Sequence, residues 1–195
     1  MTRRRAIYLT HPEVNIDPEI ATPDWGLSAI GAGRIADLSA RVTGLNNCQV
    51  FASAERKALE SAWPLAARTG RALGIAHEMG EIDRSSTGFL EPNAFWAARD
   101  AFFGAPNLSY KGWETANDAQ VRIVAAITKA IHQSGAEKLL FAGHGAVGAL
   151  LYCHLSGQQI DVKWDQPGPG HWFAFDPDSG TVEHQWQPIE RLMDL

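Results

Sequence analysis

Short apolar runs alternate along this chain with longer segments whose apolar residues recur every three or four positions. Arg5-Ala6-Ile7-Tyr8-Leu9 is too short for a helix and is closed by Pro12 and the loop NIDPEIATPD, so it predicts a buried strand. From Leu27 to Val42 the apolar positions Leu27, Ile30, Ile35, Leu38 and Val42 keep helical spacing, with Ser28 placed as N-cap. Cys48–Ala52 predicts a second strand ending at Ser53. Ala54 to Leu73 predicts a helix that Pro64 must bend, or whose missing hydrogen bond neighbours must absorb.

Residues 74–112 follow no single period and contain SST, Pro92, Pro106 and several glycines. They predict an insertion with one helix near Asn93–Phe103 and long connecting loops. Helical spacing returns from Glu114 to Gln133, and Glu137–Ala142 predicts a strand running into Gly143-His144-Gly145, followed by a helix over Ala146–Leu155. The tail predicts two more strands, Trp172–Phe175 and Val182–Trp186, joined by the turn Asp176-Pro177-Asp178-Ser179-Gly180. Strands alternating with helices imply an α/β fold, a three-layer sandwich with a mostly parallel central sheet.

Composition narrows the function. The 195 residues suit a single domain spanning 1–195, and 45% hydrophobic content supports a buried core. Lys plus Arg is 17 against 22 for Asp plus Glu, a net charge of -5, which argues against nucleic acid or an anionic membrane surface as partner. An anionic small molecule needs only a few cations aimed into one pocket. No apolar run approaches the ~20 residues that span a bilayer, and the apolar stretch after the basic start is too short for a signal peptide. Cys48 and Cys153 make neither a disulfide framework nor a zinc site and read as free thiols, so a cytoplasmic location is expected.

In such a sheet, ligands bind beyond the carboxyl ends of the strands. The strands here end in Thr10-His11-Pro12, in Ser53-Ala54-Glu55-Arg56-Lys57 and in Gly143-His144-Gly145. Two histidines and a basic pair therefore converge on one edge. A neutral imidazole can attack phosphorus while cations and N–H donors hold the equatorial oxygens. Competing readings exist. His11, Glu13, His77, Glu78 and His144 could surround a metal, but HEMGE places Glu81 where HExxH needs its second histidine. Gly143-His144-Gly145-Ala146-Val147-Gly148 fits the dinucleotide pattern GxGxxG, yet too little chain follows for a dinucleotide fold. Neither a GxSxG elbow nor a GxxxxGK[ST] loop occurs.

At these residues the chain resembles the histidine phosphatase superfamily, also called phosphoglycerate mutase-like, in motifs that follow in order over nearly the whole chain. The family begins with a strand ending in Arg-His-Gly; IYLTHPEV is the counterpart and makes His11 the nucleophile. Leu27-Ser28-Ala29-Ile30-Gly31 and Arg34 loosely match the next family pattern, and FASAERKALESAWPLA resembles the Ser-rich strand end with its basic residue. The resemblance implies Lys57, or Arg56 in the alternative register, as a phosphate-binding cation. It implies Glu81 in MGEIDRS as proton donor, and His144 with Gly145 in FAGHGAVGALL as the second phosphate-binding element. The implied activity is hydrolysis of a phosphate monoester or phosphorylated residue through a phosphohistidine on His11, with no cofactor or metal. The implied partner is a small phosphorylated substrate or a phosphoprotein.

The chain departs from the family at Thr10 and Pro12, where Arg and Gly are usual. Thr10 offers one neutral hydroxyl in place of a planar cationic fork. Arg84, Arg5 or Lys111 could reach in to compensate, and Glu13 near the pocket would oppose a dianion. The alternative function is therefore a catalytically degenerate member that binds an anionic ligand or a protein partner without turnover. Residues 81–112 are expected to lid the pocket. Phe89, Phe95, Trp96, Phe102, Phe103 and Trp113 either contact substrate there or form the insertion's core, and His171 is a further candidate donor.

Overall fold

A computed structural model describes residues 4–195. The first strand, β1 (Arg5–Thr10), lies inside a six-stranded sheet, with all but its first residue buried. It is followed by α1 (Ala29–Arg41), β2 (Gln49–Ser53), α2 (Arg56–Ala66) and the short β3 (Gly74–Ala76). After α3 (Pro92–Gly104) and α4 (Ala116–Ser134) come β4 (Lys138–Gly143), α5 (Gly145–Ser156), β5 (His171–Phe175) and β6 (Gln187–Pro188). The strand order is β3-β2-β4-β1-β5-β6. The first four of these run parallel, and β5 and β6 close the far edge antiparallel.

Alternation along the strands divides the core into two layers. Ile7, Leu9, Leu140, Ala142, Val50 and Ala52 face Ile35 and Leu38 of α1 and Ala62 and Leu65 of α2. Ala6, Tyr8, Leu139 and Phe141 face the other way, onto Ile123 and Ile127 of α4 and Val147 and Leu150 of α5. The three-layer α/β sandwich expected from the sequence is thus present. Thr10 pairs with Gly143 across β1 and β4, so both strands end level and deliver His11 and His144 side by side.

Local signals explain most boundaries. Ser28 caps α1 by accepting the N–H of Gly31 at 3.1 Å, and Thr115 caps α4 through Asp118 N–H at 3.1 Å. The helix expected over Ala54–Leu73 is shorter and ends at Ala66. There Thr69 Oγ1 donates to Ala66 O at 2.9 Å, and Gly70 turns the chain at φ 74°. Pro64 sits within α2. The strand expected at Val182–Trp186 does not form; Val182 makes one isolated bridge to Phe175, and β6 begins at Gln187. The Trp186 ring instead turns into the core against Phe173, with centroids 4.8 Å apart, and its Nε1 donates to Trp164 O at 2.8 Å.

Within 81–112, the expected helix is α3, extended by one residue at each end. Phe102, Phe103 and Trp113 are buried in the core, and Phe102 and Trp113 also line a cleft together with the more exposed Phe95 and Trp96.

Candidate active site

His11 follows directly from the buried end of β1. Its Nδ1 lies 2.8 Å from Pro12 O, which accepts only if that nitrogen carries the proton. The Nε2 lone pair is thereby left for chemistry. Part of the ring faces the cleft, but the surrounding protein favours the neutral form and lowers its pKa to about 4, with Lys57 adding to the effect. His144 precedes α5 and is fully buried, its ring centroid 5.4 Å from that of His11. Its backbone is clamped by Tyr8, whose hydroxyl accepts His144 N–H at 3.1 Å and donates to His144 O at 3.2 Å. Neither ring nitrogen of His144 has a hydrogen-bond partner among the described residues. Burial lowers its pKa to about 3 against the opposing pull of Glu55, 3.6 Å from Nε2. An unpartnered buried imidazole costs about 1–3 kcal/mol, which a ligand oxygen would relieve.

The two basic candidates separate cleanly. Arg56 projects to solvent and pairs with Glu60 at 2.7 Å, one turn along α2, so it is not at the site. Lys57 points inward, nearly inaccessible, donating to Thr22 O at 2.9 Å and to Glu55. An ammonium has three donors, so one remains for a ligand. Glu55 is the residue that motif reasoning missed. It sits before α2, binds Lys57, faces His144, and accepts Glu81 N–H at 2.7 Å. Burial opposes its charge, but His144, Lys57 and that N–H outweigh it and hold the carboxyl at about 2.

Glu81 lies over the start of α5. Its two oxygens accept the N–H groups of Val147 and Ala146, each at 3.2 Å, and one also accepts Ile82 N–H at 3.0 Å. Those donors favour the carboxylate. Burial, seconded by the charge on Glu55, prevails and raises its pKa above the usual carboxylate range. The N–H groups of Ala146 and Val147 are thus occupied by Glu81, and Gly145, with Ala146, lines the cleft alongside His11.

Thr10 does not face the cleft. Its hydroxyl accepts His171 N–H at 3.0 Å and bonds the side-chain oxygen of Gln166, tying β1 to the loop before β5. Glu13 is drawn away by Arg34, which donates to both of its oxygens at 2.9 and 3.0 Å, so it does not oppose an anion in the cleft. Arg5 pairs with Glu183 at 2.9 Å, and the exposed Lys111 lies over Tyr110; neither lines the cleft. Arg84 does line it, its guanidinium 5.0 Å from the Phe95 ring centroid and without an ion-pair partner among the described residues. His171 turns its Nδ1 to Gly168 O at 2.8 Å.

The glycines of GHGAVG have local reasons. A Cβ on Gly143 would come within 2.3 Å of the Tyr8 hydroxyl, one on Gly148 within 2.5 Å of the Tyr8 ring, and one on Gly145 within 2.5 Å of Gln166 Nε2. They make room for side chains of this fold. Among the described residues no three His, Cys, Asp or Glu side chains are grouped to hold a metal. Likewise no helix there is long and apolar enough to cross a membrane.

The cleft measures about 290 Å³. His11, Lys57, Glu81, Gly145 and Gln166 line it together with Arg84, Phe95, Trp96 and Arg99. Asp165, which also lines the cleft, is raised to about 6 by burial, with Arg99 3.8 Å away.

A family model described as the histidine phosphatase superfamily (branch 1) matches residues 11–183. Among solved structures, a phosphoserine phosphatase from Entamoeba histolytica in complex with 3-phosphoglyceric acid superposes with a TM-score of 0.77 at 14% identity, covering 96% of this chain and 98% of that one. Bacillus stearothermophilus YhfR superposes at 0.75 with 22% identity, covering 93% and 94%. The mycobacterial glucosyl-3-phosphoglycerate phosphatase Rv2419c gives 0.71 at 18% identity, covering 94% and 96%. At these identities the likeness is one of fold. No curated protein matches the chain in sequence.

Proposed function

The chain belongs to the histidine phosphatase superfamily, and from that membership and the geometry of its cleft we propose that it hydrolyses a phosphate monoester through a phosphohistidine on His11. The observation that carries this reading is the pair His11 and His144, edge to face at 5.4 Å, with Lys57 lining the same cleft as His11. His11, neutral above about pH 4 and held at Nδ1 by Pro12 O, attacks phosphorus through Nε2. The P–N bond forms as the ester P–O bond breaks. Lys57, Arg84, His144 and the Gly145 N–H hold the equatorial oxygens, where transition-state charge accumulates.

Glu81, its pKa raised by burial, supplies the proton that the leaving oxygen takes up. As a carboxylate it then accepts a proton from the water that attacks the phosphohistidine, which releases inorganic phosphate and restores the imidazole. No cofactor or metal takes part in these steps. The small volume and aromatic wall of the cleft favour a small phosphate ester over a phosphorylated side chain on a folded protein.

A second reading, anion binding without turnover, draws on Thr10, whose hydroxyl is spent inside the protein where the family has an arginine, and on Glu55 and Glu81 near the phosphate position. Rapid quench with a labelled aryl phosphate separates the two. An acid-labile, alkali-stable phosphoenzyme formed by the native protein and lost in His11→Ala supports the first. Phosphate binding with no phosphoenzyme and no hydrolysis supports the second, and hydrolysis undiminished in His11→Ala overturns the phosphohistidine route.

A further inference from the structure

The loop between α5 and β5 carries a polar group that no sequence motif singles out. Gln166 lines the cleft with His11 and Gly145, and its amide nitrogen is close enough to Gly145 that a methyl there would collide with it. Its orientation follows from Thr10. His171 N–H donates to Thr10 Oγ1 at 3.0 Å, and the hydroxyl proton, which has His171 O at 3.2 Å as its other acceptor, goes to the nearer Gln166 side-chain oxygen at 2.5 Å. An amide whose oxygen is held there must turn its NH2 the other way. That NH2 has no acceptor among the described residues and borders the cleft.

The loop itself is fastened. Gly170 N–H donates to His11 O at 2.9 Å, Gln166 N–H to Asp165 Oδ1 at 2.8 Å, Arg34 to Pro169 O at 3.1 Å and His171 to Gly168 O at 2.8 Å. A donor held this firmly needs little reorganisation when charge develops beside it.

We infer that Gln166 binds a phosphate oxygen, and that Thr10 acts as its positioning residue by fixing which end of the amide faces the anion. The inference rests on the phosphatase reading for its turnover consequences, but its binding consequences stand apart from turnover. It also accounts for Thr10 beside the nucleophile. A neutral, oriented amide from a distant loop occupies the role that a cation at this position would otherwise fill, in a site that already contains Lys57 and Arg84.

The test combines hydrolysis of an aryl phosphate with calorimetric titration of inorganic phosphate, on the native protein, Gln166→Leu, Gln166→Glu, Thr10→Val and Thr10→Ser. Loss of one preorganised donor is expected to lower kcat/KM by roughly 10²-fold in Gln166→Leu, with a parallel weakening of phosphate binding. Gln166→Glu keeps the oxygen that Thr10 holds and the volume, so it guards against a folding failure. It should bind phosphate worse than Gln166→Leu at pH 7.5 and recover as the pH is lowered and the new carboxyl gains a proton. Thr10→Val should weaken both readouts, Thr10→Ser should restore them, and Thr10→Val combined with Gln166→Leu should be no worse than Gln166→Leu alone.

Gln166→Leu within about twofold of native in both readouts overturns the inference, as do Thr10 and Gln166 losses that multiply. If His11→Ala is dead while Gln166→Leu is native-like, this inference fails and the phosphatase reading stands. If the native protein turns over no ester yet binds phosphate, a loss of binding in Gln166→Leu supports the inference and the phosphatase reading fails. A native protein that neither binds phosphate nor hydrolyses esters overturns both.

Discussion

Glu81 is the residue on which the direction of proton flow depends. Its carboxyl is surrounded by three N–H donors that stabilise the anion, yet burial and Glu55 hold its pKa above the usual range. Glu81→Gln is therefore expected to slow phosphorylation of His11 most for alkyl esters, whose leaving oxygen needs the proton. Aryl esters with acidic leaving groups should lose far less, leaving a gap of roughly 10² in kcat between the two series. The pH profile of the native protein should rise as His11 loses its proton near pH 4 and fall on the alkaline side as Glu81 loses its own. Steady-state kinetics over pH 3.5–8 with both ester series checks this; equal losses for the two series would remove Glu81 from the acid role.

At this scale the sequence was a good guide to some residues and silent about others. His11 and His144 could be located because each follows a strand, and strand ends are where ligands gather. Lys57 and Arg56 could not be told apart, because the choice depends on how α2 is rotated as it leaves β2. Glu55 and Gln166 were not singled out as site residues. Glu55 stood in the strand end that was read for its basic pair, and Gln166 meets Thr10 across 156 residues of chain through an irregular loop.

At the scale of elements, close approach explains positions that composition leaves arbitrary. The start of α1 lies against the loop after His11, and a Cβ on Gly31 would stand 2.2 Å from the backbone oxygen of Glu13, which also accepts Ser28 N–H at 2.9 Å. Gly33, two residues on in the same helix, is exposed and has nothing within 4 Å of its would-be Cβ. The two substitutions to alanine should move stability in opposite directions. Gly33→Ala gains about 1 kcal/mol from helix propensity, whereas Gly31→Ala forces backbone apart and loses about 1–3 kcal/mol net. Urea unfolding of both variants reads the signs directly, and a stabilised Gly31→Ala would mean that the loop carrying Glu13 yields freely.

The same scale shows why two expected elements failed. Val182–Trp186 has the alternation of a strand, but the Trp186 ring is taken by the aromatic cluster over Tyr8 and Phe173. The helix beyond Ala66 had the composition to continue, but Thr69 and Gly70 turn the chain toward β3. β3 itself is three residues long and begins at Gly74, which packs against the Phe51 ring, and no periodicity can be read in so short a segment.

For the whole molecule, the cleft dominates the response to pH. His11 and His144 titrate near 4 and 3 in the folded protein, against 6.5 for a free imidazole. A depressed histidine means that the unfolded chain binds more protons between those limits, so stability is full above pH 6.5 and is lost as the pH falls toward 4 and below. Glu55, held at about 2, adds to the loss below pH 4.5, when the unfolded carboxyl takes up its proton first. Asp165, raised to about 6, and Glu81, also raised by burial, act oppositely, so they soften the decline that the two histidines set. The thermal midpoint should therefore drop steadily from pH 7 to pH 4, and His144→Gln should flatten that slope whatever it does to the midpoint at pH 7. Circular dichroism melts across the range test this, and an unchanged slope in His144→Gln would show that His144 titrates normally in the folded state.

What the sequence determined by itself was the order of the longer elements, the burial of β1 and β4, and the two histidines at their ends, because hydrophobic period and strand-end position are local properties. The family pattern was likewise legible, since it is spelled in short contiguous motifs. What only the tertiary structure decided was which polar groups look at one another. Lys57 turned inward, Arg56 and Glu13 turned away, Thr10 withdrew from the cleft, and Gln166 arrived in its place from the far end of the chain. Those outcomes depend on helix rotation, loop closure and competition for hydrogen-bond partners, and no stretch of neighbouring residues encodes them.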